Sequence, residues 1–166
     1  MQPAQRPAPD HAQLAQAIKA WGRELGFQHT AITDVDLTEA ERHLAHWLGL
    51  GRHGAMDYMA RHATRRSRPA ELVPGTQRVI CVRLDYLPAD AADMQELLRQ
   101  AERGFVARYA LGRDYHKLMR RKLQHLARRI EQAVGPFGYR AFCDSAPVLE
   151  KPLAQKAGLG WIGKHT

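Results

Sequence analysis

Two cysteines in 166 residues are the first scarcity of this chain. Cys81 and Cys143 stand far apart with no CxxC spacing, so thiolates alone build neither a zinc site nor an iron–sulfur cluster here. A thiol-poor chain of this kind fits a reducing cytosol, which predicts a cytoplasmic protein. No apolar run is long enough to cross a bilayer, and "MQPAQRPAPDH" lacks the apolar stretch of a secretory signal, so residues 1–10 read as a flexible tail and no membrane partner is expected. Acidic residues are also in short supply, 17 Asp+Glu against 25 Lys+Arg, for a formal net charge of +8. That field attracts phosphates, nucleic acid or acidic surfaces without choosing among them. Repeats and low-complexity segments are absent beyond the tail. "GLGWIGKH" is not a phosphate loop, because it lacks the Walker spacing, although its glycines allow a flat ligand to approach the backbone closely.

What is present suits one core: 45% of the residues are hydrophobic, enough for a single compact domain. Asp10 is a candidate N-cap for a helix whose Leu14, Ile18, Trp21 and Leu25 recur at helical spacing until Gly26. Phe27 to Thr33 reads as a short strand. A second helix follows in "LTEAERHLAHWLGLG", with Thr38 and Glu41 spaced as a capping box and Leu37 placed to staple its entry. "RHGAMDYMARHATRRSRPAELVPG" reads as loop, and "RVICVRLDY" as the clearest strand, with Ile80, Val82, Leu84 and Tyr86 alternating against a second set. Ala89 to Arg103 reads as helix, the start of "GFVARYALGRDYH" as strand. Tyr115, Met119, Leu123, Leu126, Ile130 and Val134 trace the apolar face of a long helix, with Lys117, Arg120, Arg121 and Arg128 opposite. "YRAFCD" reads as a last strand and "PVLEKPLAQKAGLG" as a helical closing segment. The mixture places the fold in the α+β or α/β classes.

Several groups could carry chemistry. His43, His46, His53 and His62 lack a ligand spacing and read as surface histidines. "DYHKLM" matches the cobalamin pattern Asp-x-His-x-x-Gly only to His116, since Met119 replaces the glycine; Asp114 is better read as a helix N-cap. The arginines from Arg61 to Arg68 are either a solvated face or a phosphate site, and the basic side of the long helix is either solvent-facing or an RNA contact. Asp144, at a strand's end, either caps a turn or serves as an acid.

Four stretches in order, "HGAMDYMARH", "RRSRPAELVPGTQRVICV", "ARYALGRDYHKLMRRKL" and "CDSAPVLEKPLAQKAGLGWIGKHT", resemble the N-terminal part of the epoxyqueuosine reductases. The resemblance implies an α+β, nitroreductase-like or reductive-dehalogenase-like cobalamin-binding domain over residues 11–166, a central mixed sheet flanked by helices, followed in the family by a ferredoxin-like domain. It implies reduction of the epoxide of epoxyqueuosine to queuosine at the wobble position of tRNA, with base-off cob(II)alamin and two [4Fe-4S] clusters. Asp144 falls on the family's proton donor. Arg66, Ala107, Arg108, Asp144, Lys164 and His165 fall on corrin-contacting positions. The family's run of cluster cysteines is not in this sequence, so no metal ligand is expected in the chain, and the chain is expected to be a monomeric fragment without turnover of its own. The partners implied are tRNA carrying epoxyqueuosine and an unidentified external electron donor. A cobalamin carrier or processing domain, which needs neither Asp144 nor RNA, and a basic RNA-binding domain without redox role are the alternatives.

Overall fold

The structure, a computed structural model, describes residues 10–87 and 90–164. The expected tail therefore lies outside the described residues apart from Asp10, and so does His165. Asp10 opens helix α1 (His11–Glu24), its carboxylate accepting from the N–H groups of Ala12 at 2.8 Å and Gln13 at 3.3 Å. These are two of the donors that a helix start leaves without a partner. Past Leu25 the chain turns at Gly26 with φ 82°, a left-handed value that favours glycine. Lys122 reaches across to donate to Leu25 O at 2.7 Å.

Strand β1 (His29–Thr33) pairs antiparallel with β2 (Val79–Arg83), with Thr30 opposite Val82 and Ile32 opposite Ile80. Between them lie α2 (Thr38–Gly49), α3 (Tyr58–Arg61), a 3-10 turn (Ala63–Arg66) and α4 (Pro69–Leu72). After β2 come α5 (Met94–Leu98), a second 3-10 turn (Arg108–Ala110), α6 (Tyr115–Val134) and α7 (Glu150–Lys156).

Side chains alternate across a strand, so Ile32, Ile80 and Val82 share one face, where they meet Ile18 of α1 and Leu126 and Ile130 of α6. Each fully buried Leu or Ile here contributes on the order of 1.5–3 kcal/mol. The approach of α1 depends on Gly22: a Cβ there would stand 2.1 Å from Thr30 Oγ1. The other face carries Ala31 and Cys81 and is covered by α7, whose Leu153 is buried. Lys156 ties α7 to the loop after β1 through Asp34 and Asp36.

The α+β class and the flanking helices agree with the sequence reading. Five details differ. Among the described residues the sheet has two antiparallel strands rather than a larger mixed set, and "YRAFCD" forms no ladder. Alternation marks a segment able to pair but cannot supply a partner strand. "GFVARYA" leads into a 3-10 turn, not a strand. Thr38 and Glu41 form no capping box: Asp36 accepts from Thr38 N at 3.0 Å, and Glu41 reaches Ser67 and Arg68. The stretch read as loop is instead punctuated by short helical turns, held by that same Glu41.

Candidate functional site: the Asp144 turn

Asp144 lies between the end of α6 and the start of α7, and among the described residues it is the one non-glycine with a positive φ, 54°. A left-handed conformation costs an ordinary residue about 1–2 kcal/mol, less for Asp and Asn. Something must hold it. Asp144 N–H donates to Glu150 Oε1 at 3.2 Å, and Tyr115 Oη donates to Asp144 Oδ2 at 2.6 Å. Cys143 Sγ and His116 Nε2 stand 3.9 Å and 3.7 Å from the same oxygen. The Asp144 side chain is nevertheless 55% exposed. It is a fixed carboxylate on an open face, and the hollows lined by Leu25, His125 and Arg128, or by Leu37, Glu41 and Arg68, lie elsewhere.

The first turn of α6 supplies the other half of the arrangement. Asp114 caps the helix, accepting from His116 N–H at 2.9 Å, and its Oδ1 also lies 2.9 Å from His116 Nδ1. The His116 ring, and then the backbone N–H, hold the Asp114 carboxyl below its usual range. The Tyr115 and His116 rings stack with centroids 4.0 Å apart, and Tyr109 meets Tyr115 edge-on at 6.3 Å. The hydrogen bond to Asp144, followed by burial, pushes the Tyr115 hydroxyl up to about 12. Burial, then the Asp144 charge, pushes the Cys143 thiol up to about 11. Glu150 is also raised, by burial first and the Asp144 charge second, while the Asp144 N–H opposes.

The residues singled out from sequence are only partly gathered around this turn. Arg66 joins it through the backbone, its carbonyl accepting from Leu149 N at 2.9 Å. Its guanidinium is committed to Tyr58 O at 2.7 Å and Met59 O at 3.1 Å. Arg68 pairs with Glu41 and Glu71, so two of the clustered arginines brace their own loop. Ala107 is exposed at the entry to the second 3-10 turn, and Arg108 donates to Ala92 O at 2.9 Å. This turn reaches the Asp144 neighbourhood through the Tyr109–Tyr115 contact. Lys164 is exposed. Sequence reasoning misses Tyr115 and Glu150 as site residues and weighs His116 only as a cobalt ligand. Nothing local marks Tyr115 as more than the first residue of an apolar helix face.

Among the described residues no group of three or more His, Cys, Asp or Glu is placed to hold a metal ion. Cys81 and Cys143 are thiols raised to about 11, and a [4Fe-4S] cluster takes four thiolates, so this chain's residues do not fit such a cluster. A flat macrocycle with apolar edges and amide arms is a different matter. Phe105, Val106, Tyr109 and Leu111, which flank Ala107 in the chain, expose large apolar side chains, and Tyr109 meets Tyr115. Apolar side chains of this kind could cover the edges of a corrin. No described helix is long and apolar enough to cross a membrane.

Residues 66–145 match the family described as Epoxyqueuosine reductase QueG, DUF1730. Epoxyqueuosine reductase of Pseudomonas aeruginosa is 65% identical over 158 residues, which cover 95% of this chain and 44% of that protein. The Vibrio cholerae protein of the same name is 57% identical over 157 residues, 95% of this chain and 42% of that protein. The structure of epoxyqueuosine reductase from Streptococcus thermophilus superposes with a TM-score of 0.71 at 24% identity, covering 90% of this chain and 40% of that one. A crystal structure of selenomethionine-labelled epoxyqueuosine reductase gives 0.75 at 21% identity, with the same two coverages of 90% and 40%. At those identities the solved structures carry the fold. The chain spans less than half the length of the relatives it matches.

Proposed function

The chain is a homologue of the epoxyqueuosine reductases, and from that premise we propose that it forms the cobalamin-binding part of a tRNA epoxyqueuosine reductase, with Asp144 as the proton donor. The observation that carries the reading is Asp144 itself: a carboxylate locked in a left-handed turn, tied through Oδ2 and with its side chain 55% exposed. Cobalamin, when bound, supplies electrons for breaking the carbon–oxygen bond of the epoxide. The oxygen that leaves carbon needs a proton, and Asp144 is the acid held ready to give it. Tyr115 fixes which carboxylate oxygen is occupied and Glu150 fixes the backbone, so the acid arrives already oriented.

Ala107 would leave room for the corrin, the exposed aromatic and aliphatic side chains beside it would suit its apolar edges, and Arg108 and Lys164 with His165, together with the part of the Arg66 guanidinium not engaged by Tyr58 and Met59, would supply donors for amide arms and phosphate. The electron-supplying [4Fe-4S] clusters belong to the part of the enzyme that these residues do not form. The tRNA anticodon loop is the substrate partner, drawn by the net charge of +8.

Two measurements test this. Titration of the full-length protein with cob(II)alamin yields a base-off spectrum, and an unchanged spectrum removes the cofactor reading. Asp144→Asn abolishes deoxygenation of epoxyqueuosine in tRNA while the spectrum persists; a wild-type rate in that variant removes the acid. Corrin binding with no dependence of any activity on Asp144 or RNA would instead mark a carrier domain.

A further inference from the structure

An acid that donates once per turnover must be recharged, and a substrate bound over Asp144 displaces the water that would do it. Three side chains meet Asp144 Oδ2: Tyr115 at 2.6 Å, His116 Nε2 at 3.7 Å and Cys143 at 3.9 Å. Two of them keep their protons at neutral pH, with Tyr115 at about 12 and Cys143 at about 11. Glu150 meets Asp144 through the backbone N–H, its Oε1 accepting at 3.2 Å. An imidazole is the side chain suited to exchanging a proton near neutrality.

The ring is also aimed. Asp114 Oδ1 lies 2.9 Å from Nδ1, and an ionised carboxylate only accepts, so Nδ1 donates and Nε2 is the nitrogen turned to Asp144. Stacking on Tyr115 at 4.0 Å with an interplanar angle of 25° fixes the ring plane.

We propose that His116 is the proton relay that reloads Asp144, oriented by Asp114. After Asp144 has given up its proton, the proton on His116 Nε2 passes to Asp144 Oδ2. The carboxylate becomes a carboxylic acid, and the imidazolium becomes a neutral ring that keeps its Nδ1 proton on Asp114. Bulk water then returns a proton to Nε2, because the His116 side chain is 41% exposed. A small rotation of either side chain closes the 3.7 Å gap. The inference rests on reading Asp144 as the acid of epoxide reduction.

The test uses the full-length protein with its cofactor and a tRNA substrate. His116→Gln lowers kcat about 100-fold, the low end of general acid–base effects, with KM little changed. His116→Ala falls similarly and recovers in part with imidazole in the buffer, whereas Asp144→Asn does not recover. Asp114→Asn separates chemistry from folding, since Asn caps a helix as well as Asp does. It keeps the thermal midpoint but lowers kcat. Nitrogen-15 spectra of the histidine-labelled protein, read without turnover, give the Nδ1–H tautomer of neutral His116 in the wild type and a mixture in Asp114→Asn. Wild-type kcat in the His116 variants while Asp144→Asn is inactive overturns the relay and leaves the proposed function standing. Loss of activity without imidazole rescue, together with an unmoved tautomer in Asp114→Asn, overturns it in favour of a purely structural His116. A wild-type rate in Asp144→Asn brings down the proposed function itself.

Discussion

At Asp144, conformation and chemistry make separable demands on one residue. The positive φ of 54° is tolerated by Asn nearly as well as by Asp but not by Ala. Asp144→Asn is therefore expected to retain the thermal midpoint and lose activity, whereas Asp144→Ala loses activity and about 1 kcal/mol of stability as well. Equal melting temperatures for the two variants would show that the turn carries no strain. A second residue-scale feature is the seat of Thr30 on Gly22, where an added Cβ would lie 2.1 Å from Oγ1. Gly22→Ala should cost about 1–3 kcal/mol by overpacking. In the Thr30→Ala background that cost should largely vanish in a denaturant-unfolding double-mutant cycle. Asp144 stood out in the sequence only as an acid that either caps a turn or takes part in chemistry, and Asp114 was legible as a cap, because a carboxylate just before a helix leaves a local signature. Tyr115, His116 and Glu150 were not, since their roles arise from contacts across the loop between α6 and α7.

The elements depend on side chains from one another more than on their own ends. Lys122 of α6 donates to Leu25 O, a carbonyl that α1 leaves unpaired, and stands 5.7 Å from the centre of the Phe27 ring. Lys122→Met should lower stability by about 1 kcal/mol, the scale of a charge-assisted hydrogen bond partly offset by the retained apolar stem. The pH dependence has two opposed parts. Asp34, held down by Lys156, and Glu41, held down by Arg68 and Ser67, have folded values below their ordinary 3.8 and 4.5. They stabilise the fold above those values and lose that contribution as pH falls through the depressed ones. Glu150 is raised above its ordinary 4.5, so its contribution is present at low pH and is lost as pH rises through the folded value. Glu150→Gln should accordingly raise Tm at pH 7 and leave it unchanged at pH 3.5. A uniform shift at both pH values would refute the buried-carboxyl account. Helices α1 and α6 were readable from their 3.6-residue periodicity and their caps, and α2 from a capping-box spacing that its own side chains do not use. The turns α3 and α4 were not, because Glu41, from a distant helix, holds the loop that contains them.

For the molecule as a whole, the basic surface sets a test of scale. Lys117, Arg120, Arg121 and Arg128 lie exposed along α6, on the side away from Leu126 and Ile130. If this face meets the tRNA backbone, charge reversal of Arg120, Arg121 and Arg128 in the full-length protein lowers affinity. It also flattens the salt dependence by about one unit of slope for each phosphate that the variant no longer neutralises. An unchanged slope would make the face a solvated one. The sequence by itself determined a mixed helix–strand fold, the positions of the two strands, the long amphipathic helix, the shortage of cluster-forming thiols and the kinship with epoxyqueuosine reductases. Each of these is written in local periodicity, composition or motif order. Tertiary structure decided the antiparallel register, the left-handed turn at Asp144, the commitment of Arg66 and Arg68 to their own loop and the meeting of Tyr115, His116 and Glu150 around one carboxylate. Each of those depends on groups far apart in the chain finding hydrogen-bond partners, and spacing along the chain does not encode distances across it.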